Sequence, residues 1–195
     1  MLKKRQGTAI AKKIVRLPRS AGLPKSKIME LYRTQVKKFH TARTPVISQR
    51  TVSIGTDSSW FNAAVIERNP DWVPVTNASY VWYSGDLSRE NAIISTRFTL
   101  SQNRRILSAS LFLSVDNYAV VIINGVPLVY DAPTNQTSNF NPGRTFNIRG
   151  FLRRGRNDVV IAAFNFGGAR TTANPAGVAA RLDIRQSSIL QTGAK

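Results

Sequence analysis

The chain has 195 residues, enough for one domain of about 100–150 residues plus an extension, and its 28 Lys+Arg against 10 Asp+Glu give a formal charge of +18. That charge calls for an acidic partner nearby, whether phosphate, carboxylate or protein. The absence of cysteine excludes disulfides and thiolate metal sites, and a single His with no His-Glu-x-x-His or Gly-x-Ser-x-Gly motif leads us to expect a non-enzymatic protein without a cofactor.

The charge is divided unevenly. Residues 1–50 hold 14 of the basic residues and one acid, Glu30, whereas residues 51–195 hold 14 and nine. Every Lys except Lys195 lies at or before Lys38, and beyond it Arg takes over. This shift predicts a basic extension over 1–50, a folded domain over 51–186 and a short tail over 187–195. Lys3, Lys4 and Arg5 are not followed by the apolar run of a secretory signal, and no later run approaches the roughly 20 apolar residues of a membrane span. The expectation is a soluble protein that is not secreted through a signal peptide. A mitochondrial presequence competes with it, because the first 29 residues are basic and acid-free.

Within the extension, Ile10, Ile14 and Leu17 recur at i, i+4 and i+7 among Lys12, Lys13 and Arg16, which predicts a short basic helix ended by Pro18. After a turn-like stretch at 19–24, Ile28, Leu31, Tyr32, Val36 and Phe39 fall on one face of a helix predicted over 27–39. Lys27, Arg33, Lys37 and Lys38 lie opposite, with Ser26 as its N-cap. Three destinations fit that apolar face: the protein's own folded domain, a neighbouring subunit, or an anionic membrane surface. The five apolar residues are the candidate partner-docking set. Residues 40–45 read as a linker, and His40 within it has no companion acid, base or nucleophile placed by the sequence.

From Thr51 the period changes to two. Short runs rich in β-branched and aromatic residues, separated by Gly, Pro, Asn and Asp, predict strands near 51–55, 60–66, 79–83, 92–100, 107–115, 118–123, 126–130, 144–149, 157–165 and 177–185. Their number indicates an all-β jelly-roll or sandwich. Asn124-Gly125 predicts a two-residue hairpin, because both central residues of that turn need positive φ. Residues 132–143 read as a long loop.

Trp60, Phe61, Trp72, Tyr80, Trp82, Tyr83 and Tyr118 are either core or a sugar-stacking surface. Alternation puts Tyr80 and Trp82 on one side and Val81 and Tyr83 on the other. Arg149, Arg153, Arg154 and Arg156 form a second basic spot, readable also as a solvated loop. Nucleic-acid binding, if present, goes through phosphates, since no zinc finger, RNA-recognition signature or zipper occurs. Asp57, Glu67, Asp71, Asp86 and Glu90 are the acids among which a hydrolytic pair would be sought, and nothing in their spacing selects one.

Several segments together resemble the galactose-binding-domain-like β-sandwiches, over about residues 52–184. They are Tyr80-Val81-Trp82, the strand from Leu111 to Val115 running into Asp116-Asn117-Tyr118, the Asn124-Gly125 hairpin, Leu152 to Asn157, Asn165 to Gly168, and Asn174 to Val178. The resemblance implies that fold and, in its carbohydrate-binding members, glycan binding. It also makes Asp116 a weak candidate for structural Ca²⁺, although Asp116-Asn117 and the glycines Gly155 and Gly177 read more readily as turn and backbone devices. A basic arm ahead of such a sandwich resembles in architecture the minor capsid, or cement, proteins of large icosahedral double-stranded DNA viruses. That resemblance implies a structural protein of the virion interior. Its arm and sandwich would bind neighbouring capsid proteins, with Lys3, Lys4, Arg5, Lys12, Lys13, Arg16, Lys37, Lys38, Arg153, Arg154 and Arg156 as basic contacts to protein, nucleic acid or an acidic membrane. A carbohydrate-binding module and an electrostatic nucleic-acid binder are the alternatives.

Overall fold

A computed structural model describes residues 30, 33–34, 48–134 and 139–188. The chain divides into two units, residues 1–46 and 47–195. In the first, Glu30, Arg33 and Thr34 are helical, and the Thr34 hydroxyl donates to the Glu30 carbonyl at 2.9 Å. The remaining positions of the helices predicted at 8–17 and 27–39 lie outside the described residues. So do the docking set Ile28, Leu31, Tyr32, Val36 and Phe39 and the basic contacts from Lys3 to Lys38.

The described residues of the second unit form an all-β sandwich of ten strands: β1 (Gln49–Gly55), β2 (Ala63–Val65), β3 (Val81–Tyr83), β4 (Asn91–Leu100), β5 (Arg104–Asp116), β6 (Tyr118–Ile123), β7 (Val126–Asp131), β8 (Asn141–Asn147), β9 (Gly155–Phe164) and β10 (Gly177–Ser188). One sheet has the order β2-β3-β10-β5-β8, with β1 also pairing with β10; the other has the order β4-β9-β6-β7. All pairings are antiparallel. Leu111, Leu113 and Val115 of β5 stand opposite Leu182, Ala180 and Val178 of β10 and face Ile94, Val121 and Ile161 of the second sheet across a fully buried core. The alternation legible in the sequence is the alternation between this core and the outer faces.

The predicted hairpin forms at Asn124-Gly125 with φ of 52° and 83°. Two predicted strands need correction. The one placed at 60–66 shrinks to Ala63–Val65, because Trp60 and Ala63 close turns onto Asp57 and Trp60 and Asn62 takes φ 62°. The one placed at 144–149 starts earlier, at Asn141, so the long loop ends at residue 140. Pro142 and Gly143 look like loop residues, yet Asn141 pairs with Val115 across a register shift. Gly143 is required there: at φ 109° any Cβ would lie 2.2 Å from Cζ of Phe112. At the other end of the domain β10 runs to Ser188, into the stretch expected to be tail; residues 189–195 lie outside the described residues.

The outer face of the four-stranded sheet departs from the polar surface usual for a sandwich. Register places Ile93, Ala162, Val120 and Tyr130 in one cross-strand row, and Phe164 and Tyr118 in the row beside it. On the other side Ser95, Val160, Ile122 and Pro127 make a third row, extended by Phe61 through its bridge to Ser95. Phe61, Ile93, Tyr130 and Phe164 are all exposed. The Arg97–Asp158 pair, 2.5 Å between Nε and Oδ1, bounds this face at one end.

Candidate ligand-binding cleft

The end of the sandwich where β5 turns into β6 carries a cleft of about 960 Å³. Asp116, Asn117 and Trp72 line it together with residues of the β2–β3, β7–β8 and β9–β10 loops, notably Phe140, Phe166 and Asn174. Four separate stretches of chain therefore meet at the last residues of one strand. Loop clusters of this kind, held by a rigid scaffold, are where binding sites are usually built.

Trp72 and Asp116 are the paired elements of the site. Asp116 extends from the outer face of the six-stranded sheet, and Gly177 of β10 stands directly opposite it. Trp72 lies over Gly177: a Cβ there would be 2.6 Å from the indole Cζ3 and 2.9 Å from Ile66 Cδ1. Gly177 thus supplies space for the ring, whereas Gly155, at φ 80°, supplies backbone freedom. The ring also packs on Tyr80, with centroids 4.8 Å apart, and its Nε1–H donates to Asp116 Oδ2 at 3.1 Å. Tyr80 is fixed in turn by its hydroxyl, which donates to the Val73 carbonyl at 2.9 Å and lies 2.7 Å from the Ser114 hydroxyl.

Asp116 is 4% exposed, and its Oδ1 has no hydrogen-bond partner. Burial pushes its carboxyl up to about 6, against the opposing pull of the Trp72 donor. Near neutral pH the cleft floor therefore holds a carboxylate with one unmet acceptor, a costly arrangement in the absence of a donor.

The walls are held by amides. Asn117 Oδ1 accepts from the Phe166 amide at 2.6 Å and its Nδ2 donates to the Asn139 carbonyl, so one side chain ties two loops to β6. The turn-fixing role expected of Asp116-Asn117 is local, but both side chains make long-range bonds. Asn165 donates to the Gly168 and Asn174 carbonyls at 3.0 and 3.4 Å, and Asn174 donates to those of Phe166 and Ala169 at 3.2 and 3.3 Å. This lattice holds Phe166 with 55% of its surface exposed at the cleft.

The structure places the other candidate residues as follows. Trp60, Trp72, Tyr80 and Trp82 are buried, so neither the Tyr80/Trp82 side nor the Val81/Tyr83 side of β3 is a sugar platform; Tyr83 is half-buried beneath the Arg89 guanidinium, 5.2 Å from its ring centroid. Phe166 and Phe140, which the sequence reading did not single out, take the cleft positions. Among the described residues no three His, Cys, Asp or Glu side chains cluster to hold a metal ion. Arg149, Arg153, Arg154 and Arg156 lie at the opposite end of the sandwich, beyond the far end of β5.

No family model matches the chain, and no curated protein matches it. Solved structures do. A family 35 carbohydrate binding module from Clostridium thermocellum is similar over 69% of this chain and 97% of its own, at 17% identity and a TM-score of 0.36. One from Paenibacillus barcinonensis is similar over 71% and 99%, at 11% identity and a TM-score of 0.35. An alfa-L-rhamnosidase from Aspergillus terreus matches over 51% of this chain, at 15% identity and a TM-score of 0.37, and the chain spans only 13% of that protein's length.

Proposed function

We propose that the protein is a non-catalytic binding module whose cleft takes a neutral, polyhydroxylated ligand, a glycan or glycan fragment. The observation that carries this reading is a cleft lined both by Asp116, whose buried Oδ1 has no hydrogen-bond partner among the described residues, and by the exposed ring of Phe166. A sugar offers both complements: hydroxyl donors for the carboxylate and a C–H face for the ring. Asp71 lines the same cleft, so its charge disfavours acidic sugars. Among the described residues no nucleophile–base pair is placed there, which suits binding without turnover.

The test is a glycan array followed by calorimetry on the full chain. Saturable binding of a neutral glycan is expected, weakened at least tenfold by Phe166→Ala and by Asp116→Asn. Absence of binding across the array, or binding that both substitutions leave untouched, rejects the reading.

A second reading, a minor capsid or cement protein seated among neighbouring subunits inside a virion, is favoured by the apolar outer face of the four-stranded sheet. Contiguous apolar surface of this kind marks protein contacts more often than open solvent, and the basic extension adds charge for an acidic neighbour. Sedimentation of the full chain tests it: self-association or co-assembly that Ile93→Lys with Phe164→Lys abolishes supports the reading. A monomer in every setting, unchanged by the substitutions, counts against it.

A further inference from the structure

The two ends of the sandwich differ in charge. The cleft end holds Glu67, Asp71, Asp86, Glu90, Asp116 and Asp131 against Arg68, Arg89, Arg144 and Arg170. The other end, some 40 Å away along the 13 residues of β5, gathers Arg104 and Arg105 from the start of β5 with Arg149, Arg153 and Arg154 from the connection between β8 and β9 and Arg156 from the start of β9. Among the described residues its one acid, Asp158, is paired with Arg97.

Two features set this cluster apart from a solvated loop. Its backbone is built rigidly. Asn157, fully buried, fills all of its hydrogen-bonding capacity: Nδ2 donates to the Arg153 and Gly155 carbonyls at 2.7 and 3.0 Å, and Oδ1 accepts from the Arg153 amide at 2.9 Å and from Asn124 Nδ2 at 3.0 Å. Asn124 of the hairpin also donates to the Phe151 carbonyl at 2.8 Å. The guanidinium groups, moreover, are positioned by backbone carbonyls and outnumber the one carboxylate near them, Asp158. Arg149 donates to the Ile106 carbonyl, Arg153 to that of Arg156 and Arg154 to that of Gln102, and among the described residues none of the three has a carboxylate within ion-pair distance, Arg153 feeling the Asp158 carboxylate only from farther off. Gathering like charges on a rigid loop costs free energy unless an anion joins them.

Two adjoining clefts of about 380 and 460 Å³ share Ile106 and Leu152 in their linings; Arg149 lines the first, and Arg105, Arg153 and Arg154 line the second. Cations lining both of these adjoining clefts, taken together as one groove, suit a linear polyanion. Phe151, between Arg149 and Arg153 in the chain, is 42% exposed and offers a ring for stacking. We propose that this groove binds the phosphodiester backbone of single-stranded nucleic acid, with guanidinium groups on the phosphates and Phe151 beneath a base. The site is independent of the glycan cleft and survives the failure of that reading.

The test is fluorescence anisotropy of the full chain with a labelled 20-nucleotide oligo(dT), a duplex of equal length, and a salt titration. Because the basic extension adds its own affinity, the comparison is between two variants that remove equal charge. Arg153→Gln with Arg154→Gln is expected to lower the salt slope by about 1.4 and the affinity at least tenfold, whereas Arg68→Gln with Arg89→Gln leaves both close to the parent. Phe151→Ala is expected to weaken oligo(dT) several-fold and the duplex little. Equal losses from the two Arg pairs, no loss from the first, or no preference for the single strand lost with Phe151 overturns the proposal. So does an effect of the first pair confined to phosphatidylserine vesicles, which assigns the groove to a membrane surface.

Discussion

The indole N–H of Trp72 donates to Oδ2 of Asp116 across 3.1 Å, joining residues 44 positions apart over the bare backbone of Gly177. The relationship couples a structural residue to a charged one, and its consequences for stability are measurable.

The first concerns pH. Burial raises the Asp116 carboxyl from 3.8 to about 6. Between those values the folded protein keeps a proton that the unfolded chain has released, so stability falls as pH rises through the window and levels off above it. The fall is expected to be roughly 2–3 kcal/mol. Burial also raises the carboxyl of Asp131, against the opposing Arg144, and this adds slope of the same sign. Asp116→Asn keeps an acceptor for Trp72 and removes the buried charge. It is expected to flatten much of the slope and to be more stable than the parent at pH 7.5, in urea unfolding at four pH values from 4.5 to 7.5. A slope unchanged in the variant contradicts the assignment.

The second concerns space. Gly177→Ala puts a methyl group 2.6 Å from the Trp72 ring, and neither the sheet backbone nor the buried indole has room to yield. A loss of about 1–3 kcal/mol is expected, with displacement of Trp72 visible as a change in tryptophan fluorescence. Gly125→Ala, at a turn position with nothing within 4 Å of the added Cβ, is strained only by its φ of 83°. It is expected to cost about 1 kcal/mol and to leave the fluorescence as it was.

These residues also mark how far the sequence is readable. Strand β6 falls on its predicted bounds, and Asn124-Gly125 forms its turn, because period-two alternation and positive-φ chemistry are local properties written in adjacent residues. The cleft is not local. Trp72 looked like any core aromatic, and nothing near Asp116 in sequence announces that its oxygen meets an indole from another loop. Phe166 carried no signal either, since its exposure follows from the bonds that Asn117, Asn165 and Asn174 make around it. The Arg cluster lay between these cases. Its charge was plain from residues 149–156, but the rigidity that makes it a candidate site comes from Asn157 and from Asn124, 33 positions away.

That rigidity gives a third prediction. Asn157→Ala strands the Arg153 and Gly155 carbonyls and the Arg153 amide at a buried position. The expected loss is about 2–4 kcal/mol. Hydrogen exchange should accelerate at residues 153–156 first, while the Asp116 cleft keeps its protection. Uniform acceleration across the domain points instead to global destabilisation.

The last concerns Asp131, fully buried at the end of β7. Arg144 Nε lies 2.8 Å from its Oδ1, close enough for an ion pair, yet neither carboxylate oxygen has an aligned hydrogen bond. A buried pair with poor alignment recovers little of its desolvation cost, but breaking it from one side leaves a bare charge. Arg144→Met should therefore cost about 3–5 kcal/mol, and pairing it with Asp131→Leu should restore most of that. A double-mutant cycle in urea reads the outcome. If the double variant is as unstable as the single one, the remaining bonds of Arg144, to the Ala132 carbonyl and Asn141 Oδ1, hold the β7–β8 loop in place of the ion pair.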